Sequence, residues 1–261
     1  MMSTIFSEQL AEYAQSFAED VATDTGDWIV KGFIDTKKNV YTISVDTKVV
    51  SKIMELLIYP KFVSFAERYN FQIILSDFQN HYPDLTFVDK NNNKYAVDIK
   101  SSYRIDSNTV NGMTLGAFTG YFRDRSSAKN VRFPYSSYAS HLVFGLIYSR
   151  VEKNIDERKK YSLDQLFDIQ SVINDFKFFV QEKYRIASDC PGSGNTKNIG
   201  SVTNISDLID GNGPFSKLGE KVFDDYWMNY LTRDMAKLVE MNRPPYSNIN
   251  EYIRYKNLKT G

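Results

Sequence analysis

Cysteine is almost absent from this sequence: Cys190 is the single one in 261 residues. One cysteine excludes a disulfide within the chain and a zinc site built on several thiolates, so a bound metal would rest on oxygen ligands. Long apolar runs are also absent, since none approaches the roughly eighteen residues that a membrane-spanning helix needs. The first 19 residues lack the basic-then-apolar order of a signal peptide. We therefore expect a cytoplasmic protein that has no membrane contact.

Linkers and internal repeats are missing as well. The seven prolines are scattered along the chain, and no low-complexity tract occurs. With 42% hydrophobic and 15% aromatic residues, a chain of this length can bury a substantial core. These features favour a single domain that spans residues 1–261.

Net charge is zero, because 32 basic residues balance 32 acidic ones. A neutral chain would ordinarily argue against nucleic-acid binding, since Lys and Arg supply most of the non-specific affinity for phosphates. The charges are unevenly distributed, however. Residues 1–30 carry six acids and no base, whereas residues 90–132 carry eight bases and three acids. This pattern predicts one basic surface, although a merely solvated face fits it equally well.

Hydrophobic spacing predicts an α/β fold in which helices flank a central mixed β-sheet. Helices are indicated at 5–17, from residue 51 to 69 with Pro60 kinking or dividing it, and at 218–259 as two helices broken at Pro244-Pro245. The segment 190–200 reads as a loop. β-Branched and aromatic runs predict a hairpin and five further strands, at 28–34 with 40–45, 71–75, 85–88, 94–101, 141–151 and 176–186.

Two aspartates and a lysine are the candidates for chemistry. Asp84 follows a proline, and Asp98 and Lys100 stand fourteen and sixteen positions later. In a strand, residues at i and i+2 share a face, so Asp98 and Lys100 point the same way. If Asp84 begins the neighbouring strand, the two carboxylates converge, an arrangement that is costly unless a divalent cation lies between them. The alternative is a turn cap at Asp84 and an ordinary ion pair, but the otherwise apolar strand around Asp98 favours a functional site.

That motif and its neighbours resemble the EcoRV family of type II restriction endonucleases, within the PD-(D/E)xK nuclease superfamily. The motif alone is weakly specific, whereas its combination with several other blocks in the same order is strongly specific. The similarity runs from about residue 28 to near residue 252 and is weakest in the first 25 residues and between 151 and 173. The blocks are Asp46-Thr47-Lys48-Val49, Gln79-Asn80-His81-Tyr82-Pro83-Asp84, Asp98-Ile99-Lys100 and Gly192-Ser193-Gly194-Asn195-Thr196, followed by Asn198-Ile199-Gly200-Ser201.

The resemblance implies a restriction endonuclease-like core and Mg²⁺-dependent hydrolysis of DNA. It implies that Asp84 and Asp98 hold the Mg²⁺ with the carbonyl of Ile99, and that Glu55 serves a second or alternative metal site. Lys100 would stabilise or orient the attacking water. A metal ion in such a site activates water and polarises the phosphate, which gives in-line displacement with 3′-hydroxyl and 5′-phosphate ends.

The resemblance also implies a set of DNA contacts. The recognition loop would approach the major groove, where glycines allow close backbone approach, Asn pairs with adenine and the Thr methyl meets a thymine methyl. A plain turn is the alternative reading. The expected target is the palindrome GATATC, cut bluntly at its centre, with Pro191 and Lys197 as departures that affect flanking preference or non-specific affinity. The implied contacts are Gly192, Ser193, Gly194, Asn195, Thr196, Lys197 and Asn198 in the major groove, Gln79 and Asn80 on the minor-groove side, and Thr47 and Lys48 on phosphates.

A palindrome cut in both strands implies a homodimer on double-stranded DNA. The hairpin at about 27–45 is the candidate dimerisation element, with sheet core as its alternative role; a catalytic core at 46–135 and a DNA-recognition region at 176–261 would follow. A cognate methyltransferase would be linked in function without necessarily being bound.

Two alternative functions remain. One is a repair or recombination nuclease of the same superfamily, which would not need residues 192–196. The other is a non-catalytic DNA-binding protein, which would be expected to lack a site residue. His81 is expected to order its loop or contact DNA, and His141 to lie in the core.

Overall fold

The computed structural model describes residues 2–76, 78, 80–151, 158–192 and 197–259, with side chains between 5 and 257. The described helices are α1 Met2–Ala14, α2 Ala18–Val21, α3 Thr47–Tyr69, α4 Lys183–Ile186, α5 Ile205–Asp210, α6 Glu220–Asn229, α7 Arg233–Leu238 and α8 Ile249–Lys259. The described strands are β1 Gly32–Ile34, β2 Val40–Thr42, β3 Gln72–Leu75, β4 Leu85–Val88, β5 Lys94–Tyr103, β6 Thr114–Ala117, β7 Tyr138–Arg150, β8 Lys160–Tyr161, β9 Ile173–Glu182, β10 Ala187–Pro191 and β11 Asn198–Ser201.

A five-stranded sheet in the order β3-β4-β5-β7-β9 forms the centre. Strands β3, β4 and β5 pair antiparallel, β5 and β7 pair parallel, and β9 returns antiparallel to β7. The sheet is therefore mixed, and the predicted fold class is confirmed.

The two faces of this sheet pack against different apolar cores. Along β7, Leu142, Phe144 and Leu146 face a core that includes side chains of α1 and α3, whereas Val143 and Ile147 face a second core. The second core is completed by side chains from β11 and the C-terminal helices. Side chains alternate along a strand, so successive residues of β5 likewise point to opposite faces of the central sheet.

Helix α3 starts earlier than predicted and runs through Pro60. Asp46 caps its N-terminus by accepting hydrogen bonds from the backbone N–H groups of Lys48 and Val49. The expectation that Pro60 divides this helix is wrong. Pro60 removes one backbone donor, but Ile58 and Phe62 on either side of it stay buried against the sheet, and this packing keeps the helix continuous.

The predicted hairpin at 28–45 is present as β1 and β2, and β8 adds a third strand that was not predicted. The segment 190–200, predicted as a loop, is strand at both ends. There β10 and β11 pair antiparallel and the backbone N–H of Gly192 donates to the carbonyl of Asn198 at 2.9 Å. The two strands belong to a sheet of order β10-β11-β6, and residues 193–196 between them lie outside the described residues.

The C-terminal part differs from its prediction in two places. The strand predicted to reach residue 186 ends at Glu182, where α4 begins. Three helices, rather than two, follow residue 218, because Tyr230 has an extended backbone that ends α6 and the Thr232 hydroxyl then caps α7. Within the described ranges, no helix combines the length and the apolar character that crossing a membrane requires.

Candidate active site

Two carboxylates and an ammonium group meet where β4 and β5 pair. Asp84 immediately precedes β4, whose first residue, Leu85, pairs with Val97 of β5. The Nζ atom of Lys100 lies 2.7 Å from an Oδ atom of Asp98 and 3.9 Å from an Oδ atom of Asp84. The same ammonium donates to the carbonyl oxygen of Ile99 at 3.3 Å. The Lys100 ammonium thus lies among three oxygen-bearing groups: the carboxylates of Asp84 and Asp98, which the sequence pattern singled out, and the Ile99 carbonyl, which the resemblance implied.

Backbone hydrogen bonds fix the position of Asp84. Its carboxylate accepts the N–H of Ile99 at 2.7 Å. The Ser76 hydroxyl donates to the carbonyl of Pro83, and the Ser76 N–H donates to the carbonyl of Asp84 at 3.4 Å. Residues 76 and 84 therefore close a short loop between β3 and β4, and Asp84 is held at its end.

Burial and the close approach of the charged groups shift the pKa values of Asp84 and Lys100. Burial, and then the neighbouring charge of Asp98, raise the pKa of Asp84 to about 7. Burial lowers the pKa of Lys100, but the carboxylates of Asp98 and Asp84 outweigh it, so the pKa of Lys100 is raised overall. Lys100 is therefore an ammonium donor at neutral pH, while Asp84 is poised between its neutral and ionised forms.

Glu55 approaches this site from the other face of β5. It lies on α3 beside Ile99 and Ser101, which alternate with Asp98 and Lys100 along the strand. Its carboxylate forms an ion pair with Lys52 at 2.8 Å. Across the described residues, no three acidic, histidine or cysteine side chains converge as a metal cluster. Glu55 is thus close to the carboxylate pair but not part of one ligand set with it.

Two depressions on the surface meet at Ser101. The first contains the carboxylate pair with Lys100, and Asn80, His81 and Tyr121 line its mouth. The second holds Thr47, Lys48, Lys52 and Glu55. Together they form a continuous groove, so the structure brings the predicted phosphate contacts Thr47 and Lys48 alongside the site. Gln79 lies outside the described residues.

The hairpin formed by β10 and β11 borders the same groove. Gly200 pairs with Thr114 of β6, and Thr114 lines the depression that contains Asp84. A Cβ atom on Gly200 would lie 3.1 Å from the backbone nitrogen of Gly192, so a glycine allows the two strands to come this close. Gly192, Lys197 and Asn198 form the base of the hairpin, and the Lys197 carbonyl accepts the N–H of Phe118 at 3.0 Å. Ser193, Gly194, Asn195 and Thr196 lie outside the described residues.

A buried aromatic wall behind the site was missed by sequence reasoning. Tyr82 and His141 share a 2.8 Å hydrogen bond between the Tyr82 hydroxyl and Nδ1 of His141, and burial lowers the pKa of His141 well below its usual range. His141 is thus a core residue, as predicted. The Lys183 ammonium, 2% exposed, lies 4.9 Å from the Tyr82 ring centre and 5.5 Å from that of Tyr135. Burial lowers the pKa of Lys183 to about 8. A lysine inside a predicted strand carried no local signal for this position.

Two comparisons with known proteins identify the family of this chain. Residues 24–257 match the model of a family described as "Restriction endonuclease EcoRV". The chain is also 35% identical over 226 residues to "Type II restriction enzyme EcoRV" of Escherichia coli, a match that covers 85% of this chain and 89% of that protein.

Proposed function

This chain belongs to the EcoRV restriction endonuclease family, and from that premise we propose that it hydrolyses both strands of GATATC at the centre in a Mg²⁺-dependent reaction. The activity class, a type II restriction endonuclease that hydrolyses DNA, is that of the family. The proposed metal dependence rests above all on one observation: the oxygens of Asp84, Asp98 and the Ile99 carbonyl lie around a single cationic group. The proposed target rests on the resemblance of residues 192–196.

The donor set fits a hard divalent cation. Carboxylate and carbonyl oxygens are the ligands that Mg²⁺ prefers, and one or two carboxylates are its usual share of protein ligands. Burial, and then the negative charge of Asp98, raise the pKa of Asp84 to about 7, and a cation beside the two carboxylates would favour the ionised form of both. We assign Asp84, Asp98 and the Ile99 carbonyl to the first metal position and Glu55 to a second or alternative one.

The chain's own residues then have distinct tasks. When bound, the metal ion polarises the scissile phosphate and makes water a better nucleophile. Asp98 anchors the Lys100 ammonium at 2.7 Å, and Lys100 donates hydrogen bonds toward the attacking water and the charge that develops on the phosphoryl oxygens. Because the pKa of Lys100 is raised, it acts as a donor and not as a base. The products are a 5′-phosphate and a 3′-hydroxyl.

Different segments along the groove would contact different parts of the DNA. Gly192, Ser193, Gly194, Asn195 and Thr196 read base edges in the major groove, with Lys197 and Asn198 at the loop's end. Gln79 and Asn80 approach from the minor-groove side, and Thr47 and Lys48 hold backbone phosphates. The position of β11 beside Thr114 and the carboxylate depression supports this division. The central TA step is read through its ease of kinking.

A homodimer supplies one site to each strand of the palindrome. We propose that the dimer surface is the β1–β2–β8 sheet together with the segment that follows β8. Three apolar side chains are exposed there: Phe33 is 54% exposed, Ile34 58% and Phe167 98%. The host's own GATATC sites would be protected by a cognate DNA methyltransferase, which acts on the same sequence and need not bind this chain.

The direct test is cleavage of a plasmid that carries one GATATC. A matched plasmid carries GAATTC at that position, and each is incubated with Mg²⁺ or with EDTA. We expect one blunt cut, only in the first plasmid and only with Mg²⁺, with 5′-phosphates at the sequenced ends. Specific cutting elsewhere would reject the proposed target, cutting in EDTA would reject the metal requirement, and no cutting by any preparation would reject the proposed reaction.

A further inference from the structure

Phe78 is a large apolar side chain that the fold leaves in solvent beside the active site. Its side chain is 62% exposed, and in the described part of the chain its aromatic neighbour is His81, at 4.8 Å between ring centres. Single exposed apolar residues are common on protein surfaces and by themselves mean little. The position of Phe78 is what distinguishes it.

The loop that carries Phe78 is closed at its base and tied to the catalytic edge. Ser76 bonds to the carbonyls of Pro83 and Asp84, so the two ends of the loop are fixed together. Farther along, the Tyr82 N–H donates to the Asn130 carbonyl at 3.0 Å. The ends of the loop are therefore anchored, and Phe78 lies between them in the chain.

Within this loop a turn links Phe78 to the mouth of the site. The backbone N–H of His81 donates to the carbonyl of Phe78 at 3.1 Å, and the His81 ring packs on the Phe78 ring. His81 and Asn80 line the same depression as Asp84 and Lys100. Phe78 is therefore connected to the lining of the carboxylate depression through the His81 ring.

We infer that Phe78 inserts from the minor groove against the bases of the cleaved step, with the His81 ring supporting it from behind. This inference rests on the proposed function, which places the central TA step over the carboxylate pair. Such pyrimidine–purine steps unstack readily. Apolar side chains that enter the minor groove wedge base steps apart and bend the duplex toward the major groove. Phe78 is thus a specificity-determining residue that favours DNA targets whose central base step unstacks easily.

The experiment uses the full chain and a GATATC duplex with 2-aminopurine in place of the central adenine, because the fluorescence of this base rises when it unstacks. Stopped-flow fluorescence and quenched single-turnover cleavage are followed with Mg²⁺. The variants are Phe78→Ala, the conservative Phe78→Trp, and Leu238→Ala, which removes an 84% exposed apolar side chain on α7.

In the wild type we expect a fluorescence rise that precedes cleavage. Phe78→Ala should lose most of this rise and cleave about 5- to 150-fold more slowly, the equivalent of the roughly 1–3 kcal/mol of base–aromatic stacking. Phe78→Trp should keep both signals, and Leu238→Ala should match the wild type.

The outcomes separate this inference from the proposed function. An unmodified GATATC duplex is assayed in parallel. If the wild type does not cleave this unmodified duplex, the proposed target is wrong and the assignment of Phe78 to its central step is wrong with it. If the wild type cleaves and Phe78→Ala shows the same fluorescence and rate, only the inference is wrong. Slower cleavage with an unchanged fluorescence rise also overturns it. A change in sedimentation for Phe78→Ala would instead assign the side chain to a contact between protomers.

Discussion

The proposed catalytic edge, where β4 and β5 pair, and the proposed recognition hairpin, formed by β10 and β11, border one groove but are held in different ways. At the catalytic edge, side chains are fixed: Asp98 is 6% exposed and bonded to Lys100, and Asp84 accepts a backbone N–H. At the hairpin, the backbone is fixed: Gly192 pairs with the carbonyl of Asn198, and glycine lets the strands approach. Catalysis requires charged groups at fixed positions. Recognition of a nucleotide sequence by a loop requires that the strands on either side of that loop be held rigidly. Changes at the two regions should therefore have separable effects.

The largest effect should come from the catalytic edge. Asp98→Asn removes a charged metal ligand and the anchor of Lys100, so we expect the cleavage rate to fall at least about a thousandfold. Circular dichroism and thermal melting should show a folded protein, since the side chain keeps its size. The matched change Asp24→Asn, at an exposed acid, should leave the rate unchanged. Cleavage by Asp98→Asn at the wild-type rate would remove Asp98 from the reaction.

The next effect should come from the proposed dimer surface. A charge at Phe33 or Ile34, which are 54% and 58% exposed, would be buried without a partner in a dimer interface. Phe33→Asp and Ile34→Asp should therefore sediment as monomers and lose double-strand cleavage about a hundredfold or more, because one interfacial charge costs several kcal/mol. Leu238→Asp, at an 84% exposed side chain on α7, is the control. Dimers that persist in both variants would place the interface elsewhere.

A smaller effect is expected at the hairpin tip. Asn195→Ala should lower cleavage of GATATC by about 5- to 150-fold, the loss of one paired base contact, without changing the Mg²⁺ dependence. Asn91→Ala, in the turn between β4 and β5, is the matched control. The measurement is the rate on GATATC divided by the rate on sites with one altered base. An unchanged ratio would mean that Asn195 does not read a base.

The smallest effect concerns the stability of the metal-free protein. Folding raises the pKa of Asp84 from 3.8 to about 7, so its stabilising contribution is complete below about pH 4 and is lost as pH rises to 7. Asp84→Asn should thus gain unfolding free energy at pH 8 but not at pH 4. We expect about 1–2 kcal/mol after allowing for solvent screening.

Urea titrations in EDTA at pH 4 and pH 8 measure the unfolding free energy of Asp84→Asn and the wild type, and Asp35 provides the opposite case for the same experiment. The side chain and the backbone N–H of Asn39 are the main hydrogen-bond donors that lower the pKa of Asp35 to about 2. Its stabilising contribution is therefore present above its ordinary pKa and is lost as pH falls toward 2. Asp35→Asn should destabilise the protein at pH 8. A loss of stability in Asp84→Asn at pH 8 would contradict the view that the carboxylate pair repels itself.

Sequence reasoning was strongest where local spacing sets geometry. The period of two in a strand puts Asp98 and Lys100 on one face, and β5 confirms that placement. It failed where tertiary contacts override a local rule, as at Pro60, or where pairing is remote, as between β11 and β6. The Lys183 ammonium over Tyr82 depends on residues about a hundred positions apart, which no local pattern reveals.

The central claim is that the edge between β4 and β5 is a divalent-metal site. Mn²⁺ binding can be measured directly by electron paramagnetic resonance in the wild type and in Asp84→Asn, Asp98→Asn and Glu55→Gln, with GATATC duplex present. We expect Mn²⁺ to bind to the wild type and to Glu55→Gln, and that binding to be lost in both aspartate variants. Equal Mn²⁺ binding by Asp98→Asn and the wild type would contradict this claim.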